Sequence, residues 1–289
     1  MKKVGNQNSD RVHHNNAFLM NTSLDIILWG IDQETACDVT EKIFNVIKNL
    51  QGVLNRFDPL AEVYRVNQNA FEKEMVISPV LMQAVNQGVR DFYQTKGYFN
   101  IFAGDVYSSL KSAPGENVNL FATALLPEGL IEINKTDNSI RFLQKSVSLD
   151  FGGVGKGLAL DGVSSVLDDF NIQNAFISFG GSSVLTKGHH PHGAYWPFSF
   201  RDNDVEGEVW PLVDDAVSVS SSKQGSGEVT HIFDPKTGRV ETFQMAAVQC
   251  KSAAVAEVLS TALIASPQKE HQKIMGNYNV VRWELSVDR

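Results

Sequence analysis

At 289 residues the chain can bury a large core, and 43% hydrophobic with 20% charged residues is ordinary globular composition. A formal net charge of -8 argues against non-specific binding to nucleic acid or an anionic membrane, which depends on neutralising phosphates, so any anionic ligand needs a local site. No segment reaches about 18 consecutive apolar residues, and the opening MKKVGNQNSDRVHHNN has no apolar run behind its lysines, so the chain as given is expected to be cytoplasmic.

The first sixteen residues are expected to form a disordered polar tail, with residues 17–289 as one domain. AFLMNTSLDIILWG reads as a first strand ending near Gly30. Asp32 then caps a helix whose Ala36, Val39, Ile43, Val46, Ile47 and Leu50 fall at spacings of three and four. Asp58-Pro59 marks a turn. Ser78 and Pro79 open a second helix that closes near Gly97. Residues 104–129 are weakly patterned, and LIEINKTDNSIRF follows as a hairpin turning at Asp137-Asn138.

The Gly-rich stretch SLDFGGVGKGLALDGVSSVLDDF leads into a helix from about Gly157 to Phe170. Further strands are expected at NAFISF, YWPFSFRD, AVSVSS, VTHIFD and NYNVVRWEL, with a helix at SAAVAEVLSTALIAS. Antiparallel hairpins mixed with helices indicate an α+β fold of mixed, largely antiparallel sheets with flanking helices. Cys37 and Cys250 lie far apart without metal-ligand spacing and read as two unpaired thiols.

Several pieces carry residues of chemical interest. The Gly-rich stretch matches neither common phosphate motif: GxxxxGK[ST] needs a glycine at Asp150 and a hydroxyl at Gly157, and GxGxxG needs a glycine at Leu158. Backbone N–H groups at the helix start, with Lys156, suit an anion, while the same glycines also suit a tight strand-to-helix connection. Glu257 and Thr261, four apart on a helix with Ser260 beside them, offer hard oxygens for Mg2+ or simply face solvent. His231 before the Asp234-Pro235 turn is placed for proton transfer or for packing in a sheet. His189, His190 and His192 read as an exposed loop, and no GxSxG surrounds Ser182, Ser183 or Ser220 to Ser222.

Seven pieces in order, FLMNTSLDI, LNRFDPLAEVYRVN, ISPVLMQAV, DFGGVGKGLALDGV, NAFISFGGS, THIFDPKTGR and AEVLSTAL, resemble the FAD:protein FMN transferase family, called ApbE-like, from about Phe18 to Ile264. The resemblance implies a tunnelling-fold-related architecture. It also implies an enzyme that binds FAD, cleaves its pyrophosphate, transfers FMN to a threonine or serine hydroxyl of an acceptor protein and releases AMP, with Mg2+. On that resemblance Gly155 through its carbonyl, Glu257, Ser260 and Thr261 hold the metal. Met20, Phe57, Tyr98, Phe99, Asn100, Gly152, Lys156, Leu158, Asp161 and Phe233 contact the cofactor, and His231 is the acid/base.

The chain departs from the family's pattern at five positions. Glu257, Ser182 and Asn100 stand where aspartates are usual, Phe102 replaces a threonine, and Gly155 replaces an alanine. These departures keep two other readings open: an FAD pyrophosphatase with water as acceptor, and a flavin-binding protein without catalysis.

Overall fold

Polar residues open the first regular structure. In the computed structural model, which describes residues 11–112, 126–202, 205–206, 208–222, 232–239 and 243–287, β1 (Val12–Leu19) pairs antiparallel with β2 (Thr22–Trp29) through all eight positions. Met20 and Asn21 join them at φ of 50° and 60°, a two-residue connection with both residues left-handed, which matches the twist of a tight hairpin. The expected single strand over residues 17–30 is therefore two strands, and the regular structure begins inside the stretch expected to be a tail. Side chains anchor the polar strand: His13 Nε2 is 3.1 Å from the Ile31 carbonyl, and His14 Nε2 is 3.1 Å from Asp25 Oδ1.

The chain continues through α1 (Gln33–Leu54), α2 (Glu62–Asn69), β3 (Met75–Val76), α3 (Pro79–Gln94), α4 (Gly104–Ser112), α5 (Pro127–Leu130), β4 (Ile131–Asn134) and β5 (Ser139–Phe142). Asp32 caps α1 by accepting from Thr35 N at 2.8 Å, and Ser78 caps α3 by accepting from Leu81 N at 3.2 Å, as their sequences require. Then come α6 (Gly155–Asp169), β6 (Ala175–Phe179), β7 (Ser183–Lys187), β8 (Trp196–Phe198), β9 (Arg201–Asp202), β10 (Val205–Glu206), β11 (Trp210–Leu212), β12 (Ala216–Ser221) and β13 (Phe243–Cys250). Helices α7 (Ala253–Ala265) and α8 (Gln268–Met275) precede β14 (Val280–Val287).

Among the described residues, seven strands form one antiparallel sheet in the order β1-β2-β6-β7-β12-β13-β14, and β3-β5-β4 make a smaller one. The fold is thus the expected α+β class, largely antiparallel with flanking helices. Alternation along β2 assigns the faces of the large sheet. Leu24, Ile26 and Leu28 are fully buried with residues of α1 and α6, while Ile27 and Trp29 pack with Trp196, Phe198 and Trp210 on the opposite side.

A third apolar cluster joins α3, α4, β5, β13 and α7. Of the expected strand VTHIFD, residues 232–234 are not a strand and 229–231 lie outside the described residues. Among the described residues no helix is long and apolar enough to cross a membrane.

Candidate functional site

The site begins where two helix starts meet. Helix α7 is buried along most of its length, all but Val255 and Thr261, as its run of alanines and leucines dictates, and this takes Glu257 and Ser260 inside with it. The first turn of α6 approaches so closely that a Cβ at Gly157 would lie 2.6 Å from the Ala253 carbonyl oxygen and 2.6 Å from Ala254 Cα. Only glycine fits there, which is why the hydroxyl of a GK[ST] loop is missing.

One turn further along α6, the Asp161 carboxylate takes the orphan donors of α7. It accepts from Ala253 N and from Ser252 Oγ, both at 2.7 Å, and from Ala254 N at 3.3 Å. Burial raises the Asp161 pKa, and the Ser252 hydrogen bond opposes that shift.

This crossing fixes Glu257. Its Oε2 accepts from Gly157 N at 2.7 Å, and its Oε1 accepts from Lys156 Nζ at 2.9 Å and Ser183 Oγ at 2.6 Å. Lys156 Nζ also donates to Ser183 Oγ at 2.9 Å. Ser260, fully buried, is hydrogen-bonded to Ser218 and Ser220 on β12 at 3.0 and 2.7 Å and to the Glu257 carbonyl at 3.1 Å.

The loop before α6 is held from both sides. Asn67 donates to the Leu149 carbonyl at 2.9 Å and accepts from Leu149 N at 2.8 Å, imitating a strand partner. Asp150 accepts from Gly152 N at 2.8 Å through Oδ1 and from Arg56 Nη1 at 3.1 Å through Oδ2. Arg56 reaches on to Asp105 at 2.7 Å, and a Cβ at Gly104 would lie 2.1 Å from Arg56 Nη1, so that glycine clears the guanidinium's path.

These elements wall a cavity of about 550 Å3. Tyr98, Phe99 and Asn100 line one side, Phe233 and Phe57 add rings, and Lys156, Glu257 and Thr261 line another part. A second cavity of about 180 Å3 holds Met20 and Gly155 in its walls and shares Phe57, Asp150, Gly152 and Lys156 with the first. The Asp234 to Arg239 loop closes on itself, Lys236 N and Thr237 Oγ1 both donating to the Asp234 carboxylate. Lys236 Nζ then sits 3.8 Å from the Tyr98 ring centroid, and burial lowers its pKa.

Asn100 carries the clearest sign of a missing partner. Its Oδ1 accepts from Phe102 N at 2.8 Å, which fixes the orientation of the amide. The Nδ2 group is buried with no hydrogen-bond partner among the described residues, in a side chain on the cavity wall. An unpaired buried donor is costly unless a ligand acceptor meets it. Aromatic rings, that donor, the Lys156 ammonium and the loop glycines fit an anionic dinucleotide such as FAD.

The residues fit a magnesium ion poorly. Both Glu257 oxygens already accept from neighbours, Ser260 Oγ is hydrogen-bonded to Ser218, Ser220 and the Glu257 carbonyl, and Thr261 supplies one hydroxyl. Among the described residues no group of three His, Cys, Asp or Glu side chains is placed to hold a metal. The cation beside Glu257 in this structure is an ammonium.

Of the residues expected at the site, Met20, Phe57, Tyr98, Phe99, Asn100, Gly152, Gly155, Lys156, Phe233, Glu257 and Thr261 line one or both cavities. Asp161 and Ser260 support the walls from behind, and Leu158 packs half-buried against the third apolar cluster. His231 lies outside the described residues. Sequence reasoning gave no site role to Arg56, Asn67, Asp150 or Ser183, each of which has a partner between 74 and 94 residues away along the chain. Only the Asp150 position just ahead of the glycines gave a local signal.

Comparison with known proteins relates the chain to flavin transferases. The ApbE family pattern matches residues 20–281. The FAD:protein FMN transferase of Chlamydia trachomatis serovar D is 28% identical over 246 residues, 80% of this chain and 76% of that protein. That of Klebsiella pneumoniae strain 342 is 24% identical over 277 residues, covering 88% and 79%. In structure, the apo flavinyl transferase ApbE of Pseudomonas stutzeri superposes with a TM-score of 0.80 at 20% identity, over 97% of this chain and 92% of that one. The Vibrio cholerae flavin transferase ApbE gives 0.76 at 20% identity, over 92% and 90%. At these identities the structural likeness establishes the fold.

Proposed function

The chain belongs to the ApbE family, and from that premise we propose that it is an FAD:protein FMN transferase that moves FMN onto a threonine or serine hydroxyl of an acceptor protein and releases AMP. The observation that most supports this reading is the position of Lys156, on the wall shared by both cavities and held by Glu257 and Ser183.

Transfer forms a bond between the acceptor oxygen and the FMN phosphorus and breaks that phosphorus from the bridging oxygen, which leaves with AMP. The hydroxyl proton must be taken up, and negative charge on the phosphates must be matched. The Lys156 ammonium meets that charge from a fixed position, held by Glu257 and Ser183, so little reorganisation accompanies the reaction; the N–H groups of Gly152, Val154, Gly155 and Gly157 are already donated within the protein. Tyr98, Phe99 and Phe233 supply flat apolar surface for the ring systems, and Asn100 Nδ2 donates to an acceptor on the ligand. His231, two residues before Phe233, is the base we assign to the proton. The magnesium that the family resemblance implies takes no step in this scheme, because Glu257 and Ser260, two of its expected ligands, are engaged within the protein.

The test is to incubate the protein with FAD and a small purified protein displaying a flavinylatable threonine, and to follow in-gel flavin fluorescence and AMP release. Covalent flavin with equimolar AMP supports transfer. FMN and AMP without covalent flavin would indicate a pyrophosphatase, and unchanged FAD would leave only binding.

A further inference from the structure

We propose that the cation serving Glu257 is the chain's own Lys156 ammonium, and that this site engages the phosphates of its dinucleotide without a divalent ion at Glu257. The inference rests on the flavin-transfer reading only for the identity of the anion.

The argument is an account of donors and acceptors. The Glu257 side chain is 4% exposed and meets an ammonium, a hydroxyl and a backbone N–H, at 2.9, 2.6 and 2.7 Å. A magnesium ion demands about six oxygens in near-octahedral array at roughly 2.1 Å. To reach Oε1 it would have to displace Lys156 or Ser183, and at Oε2, which already accepts from Gly157 N, it would meet the neighbouring ammonium at close range with like charge. The neighbouring carboxylates are committed elsewhere, Asp161 to the start of α7 and Asp150 to Arg56 and Gly152.

Lys156, by contrast, is built to face an anion. Its side chain is 28% exposed and lies in the walls of both cavities. An ammonium has three donors, and Glu257 and Ser183 take two, which leaves one for a ligand phosphate. The length of Glu257 matters here. With one methylene fewer, a carboxylate would not span Lys156, Ser183 and Gly157 N together.

The experiment uses the full chain in two measurements: Mn2+ titration followed by its electron paramagnetic resonance signal, and FAD affinity by flavin fluorescence in EDTA and in Mg2+. The expected results are no stoichiometric Mn2+ site and an FAD affinity that agrees within about twofold between the two buffers. The charge-neutral pair Lys156→Met with Glu257→Gln avoids stranding a buried charge. It should keep the parent's circular dichroism and bind FAD about tenfold or more weakly in either buffer.

One Mn2+ per chain, lost in Glu257→Gln, would overturn the proposal, as would FAD binding that requires Mg2+ or full FAD affinity in the folded double variant. A chain that binds FAD in neither buffer overturns the flavin reading instead, and the manganese titration then decides the cation by itself.

Discussion

The backbone N–H of Gly157 donates to Oε2 of Glu257 at 2.7 Å, tying the first turn of α6 to α7 across a hundred residues of sequence. That bond exists because nothing but hydrogen occupies the Gly157 α-position. Gly157→Ala should therefore force the helices apart, destabilise the fold by about 1–3 kcal/mol as overpacking does, and weaken FAD binding. Gly155→Ala, whose added Cβ would meet only Met20 Cε at 3.5 Å, should stay within about 0.5 kcal/mol of the parent. Urea denaturation of the two variants makes the comparison, and equal losses would refute the close-approach argument.

The Lys156–Glu257 pair should respond unequally to its two deletions. Lys156→Met leaves a carboxylate with a 4% exposed side chain and no counter-charge, the situation in which breaking a buried pair costs about 3–5 kcal/mol. Because Lys156 is itself 28% exposed, solvent screening places the loss near or below the bottom of that range. Glu257→Gln leaves a lysine that can turn toward water, so it should cost clearly less. Denaturation midpoints in the opposite order would contradict the assigned burial.

Asn100 offers a direct probe of what the cavity holds. Asn100→Leu, close in size and uncharged, removes the unpaired donor and leaves Phe102 N without its acceptor, which should cost the fold about 1–3 kcal/mol and deprive the ligand of one hydrogen bond. FAD affinity should drop about tenfold or more, the scale of one lost hydrogen bond at a buried group. Unchanged affinity by flavin fluorescence would remove Asn100 from the binding surface.

Acid should stabilise one part of the fold that lies outside the cavity walls. Burial pushes the Asp91 carboxyl from its ordinary 3.8 up to about 6, against hydrogen bonds from Gln87 and Tyr278 and the charge of Arg90. Since the folded value is the higher one, the folded chain holds more protons between 3.8 and about 6, and this group's stabilisation is lost as pH rises through that window. The loss is roughly 3 kcal/mol at most. Asp91→Asn should gain stability relative to the parent as pH rises across that range. Parallel stability profiles for the two proteins would contradict the assignment.

Local signals made part of this architecture legible. Asp32 and the stripe from Ala36 to Ile47 announced α1, and Ser78-Pro79 announced α3, because caps and periodicity act within a few residues. The strand β1 was hidden because His13, His14, Asn15 and Asn16 give it no apolar pattern. Its pairing with β2 and its position at the sheet edge hold it, where polar side chains are tolerated.

The candidate site divides in the same way. Lys156, Glu257 and Thr261 drew attention through residue type and spacing, whereas the carboxylate's capture by Lys156, Ser183 and Gly157 N arises only when α6 meets α7. Asp161, expected at the ligand, instead caps a helix, a role set by which helix end folding brings beside it.

The most direct test of the account is whether covalent flavin appears on an acceptor protein. The parent chain with FAD and a protein displaying a flavinylatable threonine should yield a fluorescent acceptor band and one AMP per flavin attached, with the yield falling sharply in the folded double variant Lys156→Met with Glu257→Gln. An acceptor that remains unlabelled while the chain demonstrably binds FAD, or labelling undiminished in that double variant, would contradict it.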